Sequence, residues 1–178
     1  AVGLYLAATR EVTEECGIAL APQQLVPWSR WITPRQPSVT NRRFDTRFFV
    51  ARLPQGQEPV HDDVEAIESL WLTPKEALER YWDQELSLAP PQIMTLVSMV
   101  NHQSVHDVLS HARSQRPALI LPEPFDDEAG TRVICYPGDA RHSVVQRAFP
   151  GPTRLHFKAG RFEPVGGLPS LLKPEPLP

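Results

Sequence analysis

Three glutamates, Glu11, Glu14 and Glu15, stand at i, i+3 and i+4 in the segment Arg10-Glu11-Val12-Thr13-Glu14-Glu15-Cys16-Gly17-Ile18. On a helix this spacing puts all three carboxylates on one face, a turn apart. The placement works against helix stability. Like charges repel, and a glycine at position 17 ends a helix by turning left-handed, so the acids fall in its last turns. There the helix dipole disfavours an anion by ~0.3–1 kcal/mol each. A hard divalent cation, Mg²⁺ or Mn²⁺, would remove the conflict, because such ions take carboxylate oxygens together with substrate phosphates. Arg10 can hold a neighbouring carboxylate in a fixed orientation through paired hydrogen bonds. A solvated acidic helix face accounts for the charge pattern equally well.

A second cluster is basic. From Arg30 to Arg52 there are six arginines (30, 35, 42, 43, 47 and 52) and one acid, Asp45. The planar guanidinium fork suits phosphate oxygens. Arg43, Asp45 and Arg47 fall on one face of an alternating strand, where Asp45 can hold a neighbouring arginine. Arg43 and Arg47 are the expected substrate contacts. The alternative is a strand edge charged against aggregation.

The elements that must position these groups follow from periodicity. Residues 1–16 read as a helix, with Leu4, Ala7, Ala8, Val12 and Cys16 recurring at three- and four-residue spacing. Trp28 to Thr33 and residues 43–52 read as strands, the second with clear alternation. Ile67 to Leu72 reads as another. Thr73-Pro74-Lys75-Glu76 is a capping box that opens a helix to about Trp82. Pro90-Pro91 starts a longer helix, read as about 91–113. Ala118–Leu121, Arg132–Tyr136 and Arg154–Lys158 read as short strands. Ala159-Gly160-Arg161 reads as a hairpin turn. From Pro164 the chain is rich in proline and glycine and reads as disordered.

The 178 residues carry a net charge of −3. No basic field points to nucleic acid or to an anionic membrane. No apolar run approaches the ~20 residues that span a bilayer, and no signal peptide is visible. A cytoplasmic protein is expected, with Cys16 and Cys135 as free thiols. Other chemistry-bearing residues read as ordinary structure. His102 and His106 lie at i, i+4 on what reads as one helix, without a third metal ligand. Ser104 has no nucleophile elbow. Gly166-Gly167 is not expected to precede a helix, so it reads as no phosphate loop. Trp28 and Trp31 could stack on an adenine, but core is the commoner fate of tryptophan.

Residues 10–18 resemble the second half of the Nudix box, G-x5-E-x7-R-E-U-x-E-E-x-G-U, matching it at Arg10, Glu11, Val12, Glu14, Glu15, Gly17 and Ile18. The resemblance implies that Glu11, Glu14 and Glu15 are metal ligands for Mg²⁺ or Mn²⁺, that Arg10 orients them, and that Glu11 helps deprotonate the attacking water. The upstream glutamate of the box would fall on Val2. Either the box is degenerate or an insertion interrupts it. Trp28-Ser29-Arg30-Trp31-Ile32-Thr33-Pro34, Arg42 to Phe49, Trp71-Leu72-Thr73-Pro74 and Leu88-Ala89-Pro90-Pro91 resemble the subfamily of nucleoside diphosphate-linked moiety X motif 19, whose members carry such an insertion.

That resemblance implies an α/β fold: the Nudix α/β/α sandwich with a mixed sheet, its N-terminal strands missing from the chain. The expected organisation is a Nudix domain over 1–116, a β-rich subfamily extension over 117–163 and a disordered tail over 164–178. Nudix enzymes often recruit a further acid from a distant loop. Glu65 and Glu68, after His61-Asp62-Asp63, are the candidates, a surface turn being the alternative. The implied activity is metal-dependent hydrolysis of a nucleoside diphosphate derivative, coenzyme A or acyl-coenzyme A first. ADP-ribose, a dinucleotide or a nucleotide sugar stays open, as does a non-catalytic nucleotide-binding module. The implied partner is a small molecule, with a homodimer left open.

Overall fold

A computed structural model of the chain describes residues 2–34, 43–60 and 69–177. It opens on helix α1 (Val2–Cys16), followed by strands β1 (Val26–Ile32) and β2 (Asp45–Val50). Gly17 takes a left-handed φ of 67° and donates its N–H to the Thr13 carbonyl at 3.1 Å. This is the glycine stop expected at a helix C-terminus. Helices α2 (Pro74–Trp82), α3 (Pro90–Met99) and α4 (Val105–Ser114) come next. The remaining elements are β3 (Ala118–Ile120), β4 (Glu123–Asp126), β5 (Arg132–Cys135), β6 (Arg154–Lys158), β7 (Arg161–Glu163) and α5 (Gly167–Leu172).

The strands form two sheets. One is mixed, in the order β2-β1-β3, with β2 antiparallel and β3 parallel to β1. The other is antiparallel, β4-β5-β6-β7. Helices with a mixed sheet make the fold α/β, as expected. The mixed sheet separates two environments. Tyr5 of α1 packs on Phe49, ring centroids 4.9 Å apart. On the other face Val26 meets Leu109 and Ala112 of α4, with Trp28 and Val50 alongside. The pairing of β1 with β2 shifts register between Pro27 and Ser29, and Trp28 is the residue passed over.

The principal core joins both sheets and three helices. Trp31, Leu78, Ile93, Met94, Val97, Ile134, Tyr136, Leu155 and Leu171 are all buried in it. The segment after 117 is therefore built into the same core as the segment before it. Its first strand even completes the mixed sheet.

Four expectations need correction. The helix expected over 91–113 is two helices. Ser104 caps α4, its hydroxyl accepting the Asp107 N–H at 3.1 Å while the Asp107 carboxylate accepts the Gln103 N–H at 3.1 Å. Those local bonds outcompete helix continuation, as serine and aspartate do at caps. His102 consequently lies in the break, not one turn from His106 on a shared helix. The tail expected to be disordered carries α5, whose Leu171 is 0% exposed. The Gly151 N–H donates to the Glu175 carbonyl at 3.0 Å and holds the tail's path. Proline-rich composition hid this because three leucines, Leu168, Leu171 and Leu172, supply the anchor. Gly166-Gly167 is thus followed by a helix, though a short one. Finally, residues 69–72 form no strand, and residues 67 and 68 of that expected strand lie outside the described residues.

Other expectations hold locally. Thr73 and Glu76 exchange the two bonds of a capping box, 3.2 Å and 2.7 Å long. The β6–β7 hairpin turns through Ala159 and Gly160, with Lys158 opposite Arg161. Both turn residues have positive φ, 48° and 82°. That is the two-residue turn whose twist matches a hairpin and which favours asparagine followed by glycine. Alanine at the first position is strained. Ala159→Asn is expected to raise stability by roughly 0.5–1 kcal/mol. A urea midpoint that stays put or falls, at unchanged m-value, would refute this origin of strain.

Candidate functional site

Helix α1 carries the acidic segment toward its C-terminal end. Glu11 and Glu14 are exposed and Glu15 is half-buried. The last turn holds no basic residue. The charge is met instead from the side. The Arg10 guanidinium lies 3.4 Å from the Glu11 carboxylate and 3.7 Å from that of Glu14. The helix end is anchored by its neighbours. The Thr13 hydroxyl reaches the carbonyls of Thr9 at 2.9 Å and Ile18 at 3.0 Å, and the Cys16 carbonyl accepts the Val60 N–H at 2.9 Å.

The donor chemistry suits a hard cation, since three carboxylates on one helix face offer only oxygen. Their side chains do not converge: among the described residues no three His, Cys, Asp or Glu groups come together in an arrangement able to hold a metal. Glutamates a turn apart have Cβ atoms only ~5–6 Å apart, so rotamer changes alone can bring the oxygens together. Arg10 supplies the neutralising charge in the arrangement observed.

The arginines form a separate unit on the mixed sheet. Arg30 and Arg47 are directly opposite across β1 and β2. Like charges so placed repel. Asp45 resolves this, accepting two bonds from Arg30 at 2.8 and 2.7 Å and lying 2.9 Å from Arg47. The Arg30 hydrogen bonds hold the Asp45 carboxyl down to about 2, against partial desolvation, with the charges of Arg30 and Arg47 adding to the effect. Two guanidiniums sharing one carboxylate leave one net positive charge. Arg43 stands apart and donates to the Thr33 carbonyl at 3.3 Å.

The alternation of β2 sets Asp45, Arg47 and Phe49 on one face and Thr46 and Phe48 on the other. Phe49 is the residue that α1 packs against, so the arginine unit and the acidic helix lie on the same side of the sheet. Among the described residues no ion pair joins the acids of α1 to Arg30, Arg43 or Arg47. Glu65 and Glu68, with His61 to Asp63, lie outside the described residues, as do Arg35 and Arg42. Both cysteines are free; burial pushes the Cys135 thiol up to about 11, with Asp139 and Glu123 contributing. Such a thiol stays protonated and inert.

Sequence reasoning did not find two cavities. One, of about 540 Å³, lies between β1 and α3–α4, lined by Trp28, Ser98, Asn101, His102 and His111 among others. Its side chains partner one another: the Trp28 Nε1–H donates to Ser98 at 3.2 Å and His102 lies 3.0 Å from Asp107. The other, of about 850 Å³, opens between β2, the α2–α3 connection and the β6–β7 hairpin. Residues from distant segments build both, so no local motif announces them. Among the described residues no helix is long and apolar enough to cross a membrane.

The Asp45 geometry has a direct readout. Its carboxyl is expected to titrate at about 2 by NMR. A carboxylate depressed this way adds stability above its usual pKa of ~3.9 and loses that contribution as pH falls toward the folded value. Arg30→Ala should move the midpoint up toward the usual range. An unmoved midpoint would show that Arg30 is not the cause.

Comparison with known proteins follows the same segment. Residues 22–99 match the model of the NUDT19 Nudix domain. The chain is 39% identical over 88 residues to acyl-coenzyme A diphosphatase NUDT19 of Gallus gallus, covering 47% of this chain and 23% of that protein. It is 38% identical over 82 residues to the Homo sapiens protein of the same name, covering 46% and 21%. It is 27% identical over 130 residues to putative nudix hydrolase 7 of Caenorhabditis elegans, covering 71% and 41%. The chain thus spans less than a quarter of the length of these acyl-coenzyme A diphosphatases. No solved structure matches. The family match contains Arg30, Arg43, Asp45 and Arg47, and Arg10 to Ile18 precede it. Together these matches support a Nudix, NUDT19-like assignment for the chain, carried by residues 22–99.

Proposed function

We propose that the chain belongs to a metal-dependent hydrolase that cleaves the diphosphate linkage of coenzyme A or an acyl-coenzyme A. The observation that carries the reading is the set of three carboxylates at i, i+3 and i+4 against the negative end of α1, directly before a segment that matches a NUDT19 Nudix domain. The substrate class comes from the relatives, which are named for acyl-coenzyme A diphosphatase activity.

In this reading Glu11, Glu14 and Glu15 offer carboxylate oxygens to Mg²⁺ or Mn²⁺. Arg10 keeps the Glu11 and Glu14 side chains apart and oriented until they do. A bound divalent ion would neutralise the diphosphate and lower the pKa of a water. Glu11 accepts the proton as that water attacks phosphorus. The phosphorus–oxygen bond of the anhydride breaks, leaving phosphopantetheine, or its acyl form, and adenosine 3′,5′-bisphosphate. Arg47, oriented by Asp45, and Arg43 offer guanidinium donors to the phosphoryl oxygens, where charge grows in the transition state. Glu65 or Glu68 is the proposed source of one further acid. The surroundings are aqueous and cytoplasmic in this proposal, and neither nucleic acid nor a membrane takes part.

The test is direct. The protein is incubated with Mg²⁺ or Mn²⁺ and coenzyme A, an acyl-coenzyme A, ADP-ribose, a dinucleotide and a nucleotide sugar. Release of adenosine 3′,5′-bisphosphate from the coenzyme A compounds is expected. Glu14→Gln should lower kcat by on the order of 100-fold or more, since even partners of metal ligands cost 10–100-fold. Arg47→Ala should weaken kcat/KM by roughly 10–100-fold, the worth of a charge-assisted hydrogen bond. Equal turnover by Glu14→Gln would remove the metal-ligand role. Turnover of none of the compounds would leave a nucleotide-binding module in place of an enzyme.

A further inference from the structure

The cavity of about 850 Å³ is within the size range of small-molecule sites. Its chemistry is one-sided. Phe44, Phe48, Leu88, Ile134, Phe157 and Phe162 contribute to its walls. Phe44 and Phe157 stand at its rim, 57% and 44% exposed. Large aromatic side chains left open beside a concave surface mark contact sites.

Two of the polar side chains in the walls are already satisfied. The Tyr81 hydroxyl donates to the Phe162 carbonyl at 2.7 Å and accepts the Phe162 N–H at 2.9 Å. The Thr33 hydroxyl accepts the Phe44 N–H at 2.8 Å. Among the described residues two charged ones line the cavity, Glu85 and Arg161. Glu85 lies 3.9 Å from Arg80. Arg161 lies 3.3 Å from Glu163, sits over the Trp82 ring at 4.1 Å and donates to the Trp82 carbonyl. Among the described residues of the walls each charge has an opposite partner. An uncharged, apolar group suits these walls, because an unpaired charge there would lose hydration without gaining a partner.

We infer that this groove binds the uncharged acyl chain of an acyl thioester. The thioester identity rests on the proposed function; the preference for an uncharged apolar chain rests on the walls alone. The placement also suits a molecule with two unlike ends. Phe44, Thr46 and Phe48 face the groove, while Asp45 and Arg47 of the same strand carry charge on the opposite face. Among the described residues β2 is an edge strand. A long substrate can pass around that edge, its phosphates toward Arg47 and its chain in the groove.

Binding is measured by calorimetry without metal, using two phosphate-free probes, pantetheine and S-octanoylpantetheine. The octanoyl compound should bind at least about tenfold more tightly. The variant Phe44→Glu/Phe157→Glu should erase that difference while leaving the thermal melt unchanged, since both side chains are exposed. If this variant melts early, Thr46→Lys, an exposed change in the same wall, serves in its place. Equal binding of the two probes, or an octanoyl preference that survives both variants, overturns the assignment. The outcomes separate the two proposals. An octanoyl preference in a protein that hydrolyses no diphosphate keeps the groove and sinks the enzyme. Hydrolysis of coenzyme A with no octanoyl preference does the reverse.

Discussion

Trp31 is where the two sheets meet. Its indole, 4% exposed, stacks on Phe149 with centroids 5.8 Å apart and meets Tyr136 edge-on at 5.7 Å. Tyr136 and Phe149 themselves pack at 5.4 Å, closing a triangle of rings. Aromatic groups of this size dominate the energetics of a core, and edge and offset contacts suit their quadrupoles. Trp31 belongs to β1 of the mixed sheet, whereas Tyr136 directly follows β5 of the antiparallel sheet. The triangle therefore fixes the angle at which the second sheet leans on the first. Trp31 contributes to the walls of both cavities. Without this contact neither would have its shape. Within the second sheet Asp139 ties the turn after β5 to β6, its buried carboxylate receiving two bonds from Arg154, both 2.6 Å long.

The second organising constraint is the two-residue period of β2. Six residues supply an ion-paired face of Asp45 and Arg47 and an apolar face with no polar residue but Thr46. Among the described residues the strand is at the edge, so its margin and its first residues, Asp45 and Thr46, stay accessible. A single strand can thus present a charged surface beside α1 and an apolar one toward the groove. A one-residue slip in register would exchange the two. Pairing with β1 prevents that slip: Arg30 needs Asp45 on its own face, and Trp31 needs the core.

Local chemistry made much of this legible from sequence. Glycine at 17, the Thr73–Glu76 capping box and the alternation of β2 each act within a few residues, and each gives the expected element. The failures are those of long-range packing. Nothing around Gln103 or Ser104 outweighs the continuing apolar pattern until the Asp107 bonds are seen. Leu171 reads as one leucine in a proline-rich tail until its burial against α2 and the second sheet is known. The arginine unit was half legible. Asp45 was identifiable as a holder of arginine, but its main partner, Arg30, comes from the neighbouring strand and only pairing reveals it. The groove was not legible at all, since its walls come from residues 31 to 162 and carry no motif.

The acidic end of α1 shows how far electrostatics alone can take the argument. Three carboxylates at the negative pole of a helix need compensating charge. Lysine or arginine in the last turn would supply it, and that turn has none. Arg10 stands a turn earlier and reaches two of the three acids at ion-pair distances of 3.4 and 3.7 Å, all three side chains being more than half exposed. Exposed pairs of this kind contribute little, about 0–1 kcal/mol. The compensation is therefore incomplete, and Glu15 receives none of it. A fold that only needed a stable helix would relieve the repulsion by replacing one acid. Three acids on one face, with a single weakly held guanidinium beside them, are the arrangement on which the proposed cation site rests: in that reading the ion has only to displace Arg10, which stays on the same helix as the acids it releases.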